Sequence, residues 1–123
     1  MADKKDIENL DDIRWMVDAF YEKIRHDDLL GVIFNSIIND RWPEHLEKMY
    51  RFWQTLLLKE KTYTGQPFPP HQYMKIGPMH FERWLTLFEA TVHERFSGAV
   101  AEEALMRARS IATIFNAKIN GYS

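Results

Sequence analysis

An all-α domain is what this sequence predicts, and three observations carry it. Several segments space their apolar residues as one face of a helix, and none alternates apolar and polar residues as a half-buried strand would. Dense turn chemistry gathers in one long stretch, KEKTYTGQPFPPHQYMKIG at 59–77. No internal repeat and no low-complexity run interrupts the pattern.

The elements follow in order. MADKKDIENL, residues 1–10, is polar and reads as a flexible lead-in to one domain over 11–120. From Asp11 the apolar residues Ile13, Val17, Phe20, Tyr21 and Ile24 recur at helical spacing without glycine or proline, and HDDLLG ends that helix near His26. Leu29, Leu30, Ile33 and Phe34 form a short apolar segment of one or two helical turns. NDRWPEH starts the next helix, with Asp40 as the expected cap and Pro43 in the first turn, where its missing N–H costs nothing. That helix runs to about Leu58 and puts His45, Met49, Phe52 and Leu56 on one face, with Trp53 beside them. Pro78 opens another helix carrying Phe81, Trp84, Leu85, Phe88 and Val92, which FSG ends near residue 97. The last helix carries Leu105, Ala108, Ile111, Ala112, Phe115 and Ile119.

Composition excludes several function classes. With 123 residues, 46% of them hydrophobic, the chain can bury one modest core. A net charge of −2 spread over mixed signs argues against nucleic acid and against a membrane-adhesive patch. The chain has no cysteine, so disulfides, thiolate metal sites and a cysteine nucleophile are out. That fits a reducing compartment, and no apolar run reads as a signal peptide or a membrane span. The expectation is a cytoplasmic protein.

The histidines are the chemical question. Three prolines, Pro67, Pro69 and Pro70, stiffen the loop ahead of His71 and remove part of its ordering entropy in advance. Two readings stand: a rigid surface turn, or a loop built to hold an imidazole still. His45 also has two readings, a satisfied core histidine or a ligand. His26, His80 and His93 read as surface residues at helix ends or among charges. No HExxH, no serine elbow and no Gly-rich phosphate loop is present, so any chemistry must come from a cofactor.

FYEKIRHDDLLGVIF, WPEHLEKMYRFWQTLLL, YTGQPFPPH and FERWLTLF, in this order and spacing, resemble the truncated haemoglobins, specifically their third group. The similarity runs from about residue 6 to residue 119. It implies a truncated globin, two antiparallel helix pairs sandwiching haem b (iron protoporphyrin IX). His71 matches the proximal iron ligand. Tyr21, His45 and Trp84 match the groups that face a ligand bound on the other side, and Phe34 matches a ring wedged against the haem edge. Lys48 matches a cation for a haem propionate.

The residues support such a cofactor independently. Met49, Phe52, Trp53, Phe88 and Phe115 offer apolar surface for a flat plate, stabilising it by about 25 cal/mol per Å² removed from water. An imidazole suits iron, leaving the far side open to O2, NO, CO or peroxide. The phenol of Tyr21 and the indole of Trp84 are donors toward a ligand carrying negative charge. Each such bond is worth roughly 1–3 kcal/mol in a dry pocket, which favours redox work on oxygen, nitric oxide or peroxide over oxygen delivery. Such work needs an electron-donating reductase. Oxygen binding, scavenging or sensing without turnover is the other expectation, and a cofactor-free helical interaction module a third.

Overall fold

The structure, a computed structural model, describes residues 4–63 and 76–120, and these form five helices and no strand. α1 spans Leu10–His26, α2 Gly31–Ile38, α3 Trp42–Leu58, α4 Pro78–Arg95 and α5 Ala99–Asn120. Each expected helix is present, and the short apolar segment extends through Ile38 as two turns.

α1 begins where Asn9 accepts the backbone N–H of Asp12, satisfying one of the helix's orphan donors. Its apolar stripe is buried as the spacing requires, with Ile13, Met16 and Ile24 fully inaccessible. After His26 the carboxylate of Asp27 accepts the N–H groups of Leu29 and Leu30, turning the chain directly into α2. Gly31 is needed there: a Cβ would lie 2.8 Å from the carbonyl oxygen of Arg25. The cap of α3 differs from the expected one. Arg41 rather than Asp40 holds that position, and no side chain caps the helix. Pro43 in the first turn leaves one fewer N–H to satisfy. His80, expected at the surface, is half-buried and closes the start of α4, its Nδ1 accepting the N–H of Gly77 at 2.9 Å.

Contacts across the helices set the architecture. Tyr50 of α3 donates to Asp18 of α1, and Arg25 lies 4.6 Å over the ring of Trp42, so α1 and α3 run antiparallel. Arg109 meets Glu89 at 3.2 Å and Asn120 donates to the carbonyl of Ile76, so α4 and α5 do too. α1 joins the pairs by packing on α4 as well. This is the two-over-two arrangement of helix pairs that the resemblance implies. The core runs from Ile7 and Ile13 through Phe20, Trp53 and Phe88 to Ala104 and Ala108.

Residues 4–9 dock beside α5. Ile7 is buried, and Asp6 accepts the N–H groups of Val100 and Ala101 at 3.0 and 2.8 Å, capping α5 from a distant part of the chain. Gly98 at φ +135° fits beneath that carboxylate, where a Cβ would meet Asp6 Cγ at 2.5 Å.

Candidate functional site

α3 carries two apolar faces, and they are buried differently. Trp42, Trp53 and Leu57 face the core and are almost inaccessible. His45, Met49 and Phe52, expected to meet a cofactor, and Leu56 on the same face are only half-buried. α3 meets α5 only slightly, so this second stripe is not closed by a neighbouring helix among the described residues. Trp84 and Leu85 on α4 and Ile111 on α5 are also apolar, half-buried and packed against the core. A flat apolar plate with a polar edge would fit such half-covered surfaces, as the expected haem requires.

Tyr21 stands at the centre of an aromatic cluster. Its ring meets His45 edge-on at 5.0 Å, Trp42 at 5.8 Å and Phe34 at 6.3 Å, with Phe20 at 5.1 Å behind it. Burial pushes its phenol well above the usual range, so at neutral pH it is a neutral O–H. Tyr21 also forms part of the wall of a cleft of about 280 Å³ between α1 and α3, shared with Asp18, Arg25, Trp42 and Tyr50. Trp84 connects to this cluster through Phe20, whose ring it meets edge-on at 5.5 Å, and it stacks on Phe88 at 5.9 Å. The structure therefore brings Tyr21, His45 and Phe34 into one cluster, with Trp84 of α4 one ring away beyond Phe20.

The other expected site residues divide. Met49 and Phe52 lie on the half-open stripe, whereas Trp53 and Phe88 are buried and stack on each other at 5.1 Å. Phe115 is buried on α5, and Lys48 is exposed on α3. His71, the expected iron ligand, lies outside the described residues. Two residues escaped the sequence reading. Trp42 meets both Tyr21 and His45 edge-on at 5.8 Å, and Phe20 joins Tyr21 to Trp84. Their signal was available: Trp42 precedes His45 by one helical turn, and Phe20 sits in the same FYEK stretch as Tyr21.

The corner below the cluster is pinned by charge. Arg83, next to Trp84, contacts Asp27 at 2.8 Å and Asp28 at 2.9 Å, tying α4 to the α1–α2 turn. Partial burial works to raise Asp27. The N–H of Leu30, the Arg83 guanidinium and the N–H of Leu29 outweigh it and hold the carboxyl below its ordinary value.

Comparison with known proteins agrees with this architecture. The sequence profile of the bacterial-like globin family matches residues 7–116. The group 3 truncated haemoglobin ctb of Campylobacter jejuni is 36% identical over 118 residues, covering 93% of each chain. The crystal structure of the group III truncated haemoglobin from Campylobacter jejuni superposes with a TM-score of 0.85 at 35% identity, covering 98% of this chain and 100% of that one. A helical stripe left half-covered on α3, a buried phenol beside a histidine, and this match in sequence and shape lead to one conclusion: the chain belongs to the bacterial-like globins, as a group III truncated haemoglobin.

Proposed function

We propose that this globin holds haem b through His71 and performs redox chemistry on oxygen, nitric oxide or peroxide rather than delivering oxygen. Membership of the family implies a haem cofactor and the binding of small diatomic ligands such as O2. The finer reading is supported by one observation above the others: Tyr21 is buried, neutral and packed edge-on against His45.

When bound, haem would be held by His71 and would supply an iron able to take a diatomic ligand. The protein's own residues do the rest. Tyr21 presents a phenolic O–H that burial keeps protonated, and it donates to negative charge on the ligand. His45, held between the edges of Tyr21 and Trp42, donates from its ring or turns aside to admit solvent. Trp84 adds an indole N–H from α4. Phe34, Met49 and Phe52 exclude water, which strengthens each of these bonds. Two or three such donors retain oxygen and polarise its O–O bond. Lys48, on the exposed side of α3, serves a propionate. No helix among the described residues is long and apolar enough to cross a membrane.

Nitric oxide consumption by the oxygenated protein, supplied with a reductase, tests this reading. Sustained turnover that falls in Tyr21→Phe supports it. Tight oxygen retention with a single turnover only makes the chain a non-enzymatic binder.

A further inference from the structure

Five aromatic rings run in contact from Trp84, on the expected haem face, to Tyr63, beyond the end of α3. Trp84 stacks on Phe88, with centroids 5.9 Å apart and planes 8° from parallel. Phe88 stacks on Trp53 at 5.1 Å and 17°. Trp53 meets Phe52 edge-on at 5.4 Å, and Phe52 meets Tyr63 edge-on at 5.4 Å. Two successive links are offset stacks and two are edge-on, all within ordinary aromatic contact distance, so the five rings form one continuous path of touching π systems.

The order of residue types along this path matters. An indole or a phenol gives up one electron far more readily than a benzene ring or an aliphatic chain. Trp84, Trp53 and Tyr63 can each hold an oxidising equivalent, and Phe88 and Phe52 occupy the gaps between them as bridging π systems. The inner part of the path is dry: Phe88 is inaccessible and Trp53 is 4% exposed. Tyr63 is half-buried at the outer end of the path, and burial raises its phenol above the ordinary value. Its backbone is fixed by the side chain of Thr55, which accepts the N–H groups of Thr62 and Tyr63 at 3.1 and 3.0 Å. The chain has no cysteine to absorb oxidising equivalents in its place.

We propose that Trp84, Trp53 and Tyr63 form a one-electron relay that carries oxidising equivalents away from the haem to the protein surface, where a small phenolic reductant discharges them. The proposal rests on the haem reading above. Hydrogen peroxide is the oxidant: breaking its O–O bond to give two waters takes up two electrons and two protons in total. With haem bound, Trp84 would supply each of the two electrons that peroxide takes up, and would be refilled from Trp53 and then from Tyr63. Tyr63 loses its electron together with its phenolic proton, which passes to solvent, and becomes a neutral phenoxyl radical. The external phenol returns a hydrogen atom, electron and proton together, to Tyr63. Two such passages per peroxide restore the starting protein and leave two oxidised reductant molecules.

Spin trapping with peptide mapping tests the relay. The protein is first loaded with haem and its Soret band recorded, then treated with stoichiometric hydrogen peroxide and a nitroso spin trap, digested and mapped by mass spectrometry. The expected result is a trap adduct on Tyr63, lost in Trp53→Phe, where adducts shift to Trp84 or Tyr21. A Soret band with Tyr63 unlabelled overturns the relay but not haem binding, and so does equal Tyr63 labelling in Trp53→Phe. Absence of any Soret band after haem addition overturns both. Should Trp53→Phe fail to fold, Tyr63→Phe decides: faster peroxide bleaching of the haem is expected, and an unchanged bleaching rate overturns the proposal.

Discussion

Tyr21 and His45 meet edge to face, ring centroids 5.0 Å apart and planes at 88°, with Trp42 edge-on to both. Three rings from two helices thus restrain one another, and the phenol is held in place without relying on its own hydrogen bond. Replacing Tyr21 with Phe keeps the ring and deletes only the O–H. The expected outcome is an oxygen dissociation rate raised by about tenfold or more, the worth of one buried donor. Stopped-flow displacement of oxygen by CO measures it, and an unchanged rate would remove the phenol from the proposed role.

The same burial predicts alkaline sensitivity. Tyr21 is raised by burial, and Tyr50 is pushed up to about 12 by burial and by its hydrogen bond to Asp18. Both groups keep their protons in the folded state to higher pH than in the unfolded one. The unfolded chain therefore binds fewer protons above about pH 10, and stability is fully present below that value and falls as pH rises beyond it. Urea melts at pH 8 and about pH 11 should show this loss, and it should be smaller in Tyr21→Phe.

At the acid end the sign reverses. Asp27 is held below its ordinary value, so its contribution is present above the unfolded pKa of about 3.9 and is lost as pH falls through the folded value. Asp27→Asn should destabilise the protein near neutrality by about 1–3 kcal/mol, because it weakens the turn into α2 and the Arg83 contact together. It should also flatten the acid limb of stability against pH. Denaturant melts of both proteins across the acid range check it, and parallel limbs would contradict the assignment.

Gly98 and Asp6 form another testable pair. Ala at position 98 would need a positive φ and would press its Cβ into the carboxylate that caps α5. Gly98→Ala should cost about 1–3 kcal/mol, measured as a shift in thermal midpoint.

Much of this fold was legible because period and punctuation agreed. In α1, Ile13, Val17, Phe20, Tyr21 and Ile24 repeat at helical spacing and all are buried. Pro78 marks the start of α4 because a missing N–H is harmless there. What stayed hidden depends on contacts distant in sequence. Ile7 sits among lysines and acids, and nothing local says that it joins the core beside Phe96. Asp6 caps a helix more than ninety residues away, which no local capping pattern reveals. Within the site, His45 could be placed on a helix face from spacing alone, but that it meets Tyr21 required the antiparallel crossing of α1 and α3. The place of Trp42 in the site follows from its two ring partners, Tyr21 and His45.

The central claim is that this chain holds haem iron through His71. Absorption spectra of the oxidised, reduced and CO-bound protein, taken for the wild type and for His71→Gly, test it most directly. The account predicts a Soret band and a five-coordinate ferrous spectrum in the wild type, lost in the variant and restored by free imidazole. A ferrous spectrum unchanged by His71→Gly, or no Soret band even after haem is added, would contradict it.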